Sequence, residues 1–381
     1  MSKHAKHHAR PSTRPATRPA ARTDIALVVI ARNEASCIER CLLSAKPHVD
    51  RMVVLDTGST DDTVAIARAC GAQVHHFTWI DDFSAARNAA LEKADADWNL
   101  ILDADEWLEA GVEELRTACT FGPLLGVVCV RSEYDISGAV EQTNTWIPRL
   151  LPRGVRYEGR VHEQPVASLQ RVRLPLVLGH DGYLNAKLDK KRDRNATLLH
   201  EELAQRPDDP YLLYQLGKDT EVNSKDFARA ADFYLQAFER APQTVPYRHD
   251  LCIRLLFCLA KSDRLEQAIA LAGEWMEVWA ESPDYFFMLG HLMFDSAVKH
   301  PAQAEQQWLP MAEQAFLRAL EIGDKPKLDD SVFGRGSFAA AENLSIIYKA
   351  RSNTLSLKAD QYFQLAKQLK EKAAGPTIQS A

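Results

Sequence analysis

The chain has 381 residues, 46% hydrophobic and 26% charged, with a formal net charge of −6. That length allows two domains and a sizeable core, and the negative balance argues against general nucleic-acid binding by the folded body. Seven cysteines without a CxxC pair argue against a disulfide framework or a zinc site and for a reducing, cytoplasmic setting, while no apolar run is long enough to span a bilayer and no secretory signal is evident.

Residues 1–23 open with "MSKHAKHHARPSTRPATRPAAR", which holds six Lys/Arg, three prolines and no acid. Such a segment has too little apolar content to fold alone and reads as a disordered basic tail. From residue 24 to about 190, strand and helix signals alternate. "IALVVIA" (25–31), "RMVVLDTG" (51–58), "AQVHHFTW" (72–79) and "WNLILDAD" (98–105) are strand-like. "EASCIERCLLSAKPH" (34–48), "STDDTVAIARACG" (59–71) and "DDFSAARNAALEKAD" (81–95) have helical spacing. Apolar strands separated by amphipathic helices predict a mainly parallel sheet covered on both faces. "LGVVCVRSEYD" and "VRLPLVLGHDGY" add strands in a less regular region.

Residues 191–372 read as nearly all helix. "PYLLYQLGKD", "DLCIRLLFCLAKSD", "PDYFFMLGHLMF" and "SFAAAENLSIIYKA" resemble first helices of hairpins. "ARAADFYLQAFERAP", "LEQAIALAGEWMEV" and "AEQAFLRALEIGD" resemble their partners. The separation is near that of a tetratricopeptide unit. Such arrays bind peptides or subunits, often self-associate, and equally serve as plain buttresses. Residues 373–381 read as a flexible tail.

The chemistry-bearing residues gather where the strands end. Asp103 and Asp105 follow the apolar run Leu100-Ile101-Leu102, with Glu106 next. Like charges that close need a counter-charge, either basic side chains or a metal ion. A persisting strand would send Asp103 and Asp105 to the same face, at the sheet edge where open α/β folds place ligands. Two hard oxygen donors there suit Mg²⁺ or Mn²⁺ holding a diphosphate; a solvated turn is the plain alternative. Asp56 ends another strand, before the tight loop Thr57-Gly58-Ser59, and could accept from a base N–H. Ser59 or Thr60 reads as a helix cap. Arg87 is a permanent cation suited to a polyphosphate, or else a surface residue paired with Asp81 or Asp82. "RYEGRVHEQP" (156–165) concentrates Arg160, His162 and Glu163, and "GHDGY" (179–183) carries His180. Of the tryptophans Trp79, Trp98, Trp107 and Trp146, Trp98 reads as core and Trp146 as the sugar-stacking candidate. The absence of GxxxxGK[ST], GxGxxG and GxSxG disfavours a P-loop NTPase, a dinucleotide-binding dehydrogenase and an α/β-hydrolase.

"IALVVIARNEASCIERCLLSA", "VVLDTGSTDDT", "DDFSAARNAALEKADADWNLILDADE" and "RYEGRVHEQP", in this order, resemble the family-two glycosyltransferases of GT-A fold. The resemblance covers about residues 24–195, and is greatest to the subgroup carrying tetratricopeptide-like helices behind that domain. It implies a nucleotide-diphosphate-sugar donor, a divalent metal (Mn²⁺ or Mg²⁺), and roles at matching positions. Ala31 and Glu34 would flank the nucleoside, Asp56 would contact the base, and Arg87 would lie near the nucleotide. Asp103 would meet ribose or metal, and Asp105 would be the main metal ligand, with His180 completing the metal or touching the diphosphate. Glu163 is the candidate base and His162 its runner-up, because many family members have an Asp/Glu-Asp pair where this chain has His-Glu. The expectation is an inverting transferase of hexosyltransferase type, acting on an acceptor whose candidates include peptides and proteins. A catalytically silent scaffold is the competing class, and a nucleotidyl- or phosphotransferase a third.

Overall fold

Strand β1 (Ile25–Ala31) is apolar along its whole length, and it lies at the centre of the α/β half because nothing in it needs water. It pairs in parallel with β2 (Arg51–Asp56) on one side and β4 (Trp98–Asp103) on the other. β3 (Gln73–His76) adds to β2, also in parallel. The connections α1 (Ile38–Ala45), α2 (Thr63–Ala69) and α3 (Phe83–Ala94) fall within the predicted helical stretches. A computed structural model describes residues 23–136, 139–180, 188–325, 327–328, 331–351 and 356–374. Residues 1–22 of the predicted basic tail, residues 181–183 of the "GHDGY" stretch and residues 375–381 lie outside these described residues.

Beyond β4 the sheet changes character. β5 (Glu106–Ala110) follows a two-residue turn, the short helix α4 (Leu115–Ala118) caps one end, and β6 (Leu125–Ile136), β7 (Ala139–Pro152) and β10 (Arg171–His180) complete an eight-stranded sheet. Its order is β3-β2-β1-β4-β7-β6-β10-β5, with β7 antiparallel to both β4 and β6 and β5 antiparallel to β10. β8 (Arg156–Glu158) and β9 (Gln164–Val166) form a separate two-stranded ribbon. The result is the predicted mixed, mainly parallel sheet. Apolar cores fill both faces, one under α1 and α2 and one under α3.

Two local expectations need correction. The fourth strand ends at Asp103 and turns at Ala104–Asp105, so Asp103 and Asp105 do not share a strand face. Neither Ser59 nor Thr60 caps α2, whose N-cap is Asp62. The Ser59 hydroxyl instead accepts from the Asn33 amide at 3.0 Å, and the Thr60 amide donates to the Asn33 side-chain oxygen at 2.7 Å, tying the β1 and β2 loops together.

The second half is the predicted helical array. It runs through α5 (Leu188–Gln205), α6 (Pro210–Asp219), α7 (Phe227–Arg240), α8 (Arg248–Lys261), α9 (Leu265–Trp275), α10 (Pro283–Lys299), a short turn α11 (Pro301–Gln303), α12 (Leu309–Ile322), α13 (Phe338–Ala350) and α14 (Ser356–Ala374). Close packing explains two of its glycines. A Cβ on Gly217 would sit 2.4 Å from the Tyr234 ring, and one on Gly290 would sit 2.7 Å from Phe316. These are the small-residue seats where one helix of a tetratricopeptide-like pair receives the aromatic of the next. No helix among the described residues is long and apolar enough to cross a membrane.

The two halves share an apolar seam. Val161, Leu198, Leu199, Leu212 and Leu216 are buried together, with Phe83 packed against them.

Candidate active site

The sheet lines up its strand ends. Ala31 pairs with Asp56, Asp56 with His76, and Ile30 with Asp103, so His76, Asp56, Ala31 and Asp103 stand side by side across β3, β2, β1 and β4. Asp56 is buried and accepts from the Ser59 amide at 3.1 Å and the Gly58 amide at 3.3 Å, and His76 Nδ1 lies 3.3 Å away. Arg32, Asp56, Thr57, Gly58, His76, Phe77, Thr78 and Trp79 line an open cavity of about 450 Å³. Glu34 sits beside this row; its amide donates to Thr63 Oγ1 at 2.8 Å.

The counter-charge for the acidic run is in place. Arg87, one turn into α3, is buried; its Nη2 donates to Asp103 Oδ1 at 2.6 Å and its Nε to Glu163. The alternative pairing with Asp81 or Asp82 is not adopted: Asp82 caps α3 through the Ala85 amide, and Asp81 accepts from Trp79 Nε1 at 2.8 Å. Arg149 of β7 reaches Asp103 Oδ2 at 2.7 Å and Glu106 Oε1 at 2.5 Å. Glu106 returns a bond by accepting from the Asp103 amide at 2.9 Å. Burial pushes the Asp103 carboxyl up, but Arg149 and Arg87 outweigh it and hold the group well below the ordinary carboxylate range. Burial raises Glu106 above its ordinary value, against Arg149 and reinforced by the Asp103 charge.

Arg149 owes its aim to a β-bulge. Gly126 pairs with Leu150 but Val127 pairs with Pro148, leaving Arg149 as the extra residue on β7. Three residues earlier, Trp146 stands opposite Cys129 and carries the Arg173 guanidinium 4.7 Å over its ring. The strand therefore delivers Arg149 to the acidic cluster and Trp146 to Arg173.

Asp105 has a different neighbourhood. His180, the last residue of β10, pairs with Glu106 across the strands; its Nε2 lies 3.6 Å from Asp105 Oδ2 and its Nδ1 lies 3.0 Å from Ser132 Oγ. Burial lowers the His180 pKa, yet the Asp105, Glu106 and Asp103 carboxylates outweigh it and raise the group above its usual value. Among the described residues no cluster of three or more His, Cys, Asp or Glu side chains forms a complete metal cage. The donor set nevertheless fits a hard cation completed by its ligand. Asp105 offers oxygen, and the Ser132 contact at Nδ1 leaves His180 Nε2 facing Asp105. Asp103 is already matched by two guanidinium groups, so the expectation that it ligates metal directly finds no support in these contacts.

The candidate bases sit on a loop shared by both halves. The Arg160 amide donates to Glu202 of α5 at 3.0 Å, its guanidinium reaches Glu201 at 2.6 Å, and its carbonyl accepts from the Phe83 amide at 2.8 Å. His162 is exposed and holds a left-handed backbone, φ 53°. Its carbonyl accepts from Gln164 Nε2 at 3.2 Å and Tyr211 Oη at 3.4 Å. Glu163 points inward to Arg87. Arg87 thus bridges Glu163 to Asp103. Below it lies Tyr157, pushed up to about 12 by burial, whose buried hydroxyl has no hydrogen-bond partner among the described residues.

Residues 26–173 match the family model described as Glycosyl transferase family 2. This stretch is similar to the family 2 glycosyltransferase domains. A TPR repeat-containing protein of Synechococcus elongatus is 33% identical over 260 residues, covering 64% of this chain and 64% of the relative. The SPbeta prophage-derived glycosyltransferase SunS of Bacillus subtilis is 27% identical over 241 residues, covering 60% of this chain and 57% of the relative. The matches span about three fifths of each relative's length. Among solved structures, that of MamA matches 49% of the chain and 93% of its own length at 18% identity, with a TM-score of 0.37.

Sequence reasoning reached Asp56, Arg87, Asp103, Asp105, Glu163 and His180, and the structure gathers these along the strand ends. It missed Arg149, Glu106 as a buried partner, Ser132, Tyr157 and the Tyr211–Gln164 pair. Two acids and an unpaired buried strand end were a signal for an arginine, but nothing in the spacing said which one.

Proposed function

We propose that the chain is a glycosyltransferase moving a sugar from a nucleotide-diphosphate donor to an acceptor, with inversion at the anomeric carbon. The observation that carries this reading is the row of strand ends. A base-sized cavity at Asp56 and a carboxylate–histidine pair at Asp105–His180 are joined by the Arg87–Asp103–Arg149 ion network. This spans the parts of a nucleotide sugar: base, ribose, diphosphate and transferred group. Asp56 accepts from the base, and Ala31 and Glu34 flank the nucleoside. Arg87 and Arg149 fix Asp103 as an anion at the mouth of β4, so that it accepts a hydrogen bond from a sugar hydroxyl.

Asp105 and His180 would hold Mn²⁺ or Mg²⁺, which supplies charge neutralisation for the departing diphosphate. Glu163 takes the acceptor proton as the acceptor atom bonds to the anomeric carbon and the bond to the diphosphate breaks, and Arg87 orients that carboxylate. A peptide or protein acceptor suits the helical array standing directly behind this loop. The SunS likeness and the intact acidic, arginine and His-Glu motifs favour this reading over a silent scaffold.

Thermal melting with a panel of nucleotide sugars and Mn²⁺ tests the donor site. At least one is expected to raise Tm in a concentration-dependent way, because a ligand bound only to the folded state stabilises it. No shift with any donor up to millimolar concentration would refute the proposal. The base assignment has its own test. Glu163→Gln is expected to lower turnover about 100-fold or more while nucleotide affinity changes little. An equal loss of nucleotide affinity would reassign Glu163 to holding Arg87 in place.

A further inference from the structure

We infer that Arg194, a residue of the helical half, closes over the nucleotide pocket and forms with Arg32 a two-arginine clamp on the phosphate oxygens of the donor. This deepens the proposed donor site and rests on that reading. The geometry starts from α5, whose Arg194 guanidinium lies 4.9 Å over the Phe83 ring and 5.8 Å over the Trp79 ring. Trp79 and Arg32 line the same cavity beside Asp56. Trp79 and Phe83 pack edge to face at 4.7 Å, so the cation rests on a platform one of whose rings, Trp79, lines the cavity.

Three features single this pair out. First, among the described residues no carboxylate lies within salt-bridge distance of Arg32 or Arg194, whereas Arg87, Arg149 and Arg160 each have one. Among the described residues, Arg194 donates from its side chain to the neighbouring Asn195 amide oxygen alone, at 3.2 Å. Second, the two cations feel each other. Burial lowers the Arg194 pKa, and the Arg32 charge lowers it further against a partial offset from Asp81. Like charges held together without a matching anion favour an anionic ligand between them. Third, the strand order puts Arg32, next after β1, between Asp56 on β2 and Asp103 on β4. A nucleotide laid from the Asp56 cavity toward Asp105 passes this point with its phosphates. Guanidinium groups suit phosphate through paired, charge-assisted hydrogen bonds.

The test compares nucleosides with their diphosphates. Calorimetry without metal on the wild-type chain first identifies the tightest of UDP, dTDP, GDP, CDP and ADP. Arg194→Gln is expected to weaken that diphosphate about tenfold or more and to leave the matching nucleoside within about twofold. Arg194→Lys should recover part of the loss, and both variants should melt near the wild type. Equal diphosphate affinity in wild type and Arg194→Gln overturns the clamp. So does an equal loss for the nucleoside, which would make Arg194 a packing residue for Trp79. Failure of every diphosphate to bind the wild-type chain, with Mn²⁺ added as well as without it, instead refutes the donor site itself.

Discussion

Asp105→Ala is expected to lower transfer, or hydrolysis of the nucleotide sugar, by roughly 10³-fold, which corresponds to about 4 kcal/mol of transition-state stabilisation. The size follows from what the residue is free to do. Asp103 is committed to two arginines and Glu106 to one, whereas Asp105 faces His180 Nε2 at 3.6 Å. Removing Asp105 deletes the oxygen donor of that pair and leaves the ion network beside it intact, so the fold should hold. A second readout separates metal from structure. Mn²⁺ should tighten nucleotide binding to the wild-type chain and have no such effect on Asp105→Ala. Unchanged turnover, or Mn²⁺ dependence that survives in the variant, would place the metal chemistry elsewhere.

The other large effect is on stability. Arg149→Leu should cost about 3–5 kcal/mol, because it strands a buried carboxylate, or on the order of 10 °C in Tm. Glu106 is 3% exposed, and its other hydrogen-bond donor is the Asp103 amide. With the guanidinium gone, Glu106 must protonate or draw water inward. Its carboxyl already stands above the ordinary value and would rise further. A carboxyl raised in the folded state binds protons more readily there than in the unfolded chain, so the deficit should shrink as pH falls and grow as pH rises through the folded value. Arg149→Leu combined with Glu106→Leu removes both halves of the pair and should regain most of the loss, since Arg87 still holds Asp103. Melting curves of the two single variants and the double variant decide this. A single variant that melts within a degree of the wild type would show that the network contributes little.

The parts of this molecule that could be read from sequence are those set by local chemistry. β1, β2 and β4 announce themselves as apolar runs long enough to be buried on both faces. The glycine seats at Gly217 and Gly290 mark the helical pairs. Asp56, Asp103 and Asp105 were visible because acids directly after such runs have no reason to be there unless something meets them. What met them was not legible. Arg149 reaches the cluster only because one extra residue bulges out of β7, and a strand such as "AVEQTNTWIPRLLP" does not show where its pairing will slip. Trp146, chosen from the same segment for its aromatic ring, lies three positions from the arginine that matters. Asp103 and Asp105 would share a face only if the strand ran on, since alternation along a strand is a local rule; the turn at Ala104 ends the strand one residue too soon for it to apply. The ties from Arg160 to Glu202 and from His162 to Tyr211 join residues 42 and 49 positions apart, a separation across which no spacing argument operates.

The 160–164 loop is fastened at the back by α5 and α6 and at the front by α3, with Val161 sealed in the seam between them. Cutting the chain at the domain border would leave that loop with half its moorings and bare a greasy strip on each fragment. The repeats are therefore not an accessory that can be exchanged freely for those of a cousin. Any chimera would have to import the 158–164 segment together with the helices that grip it.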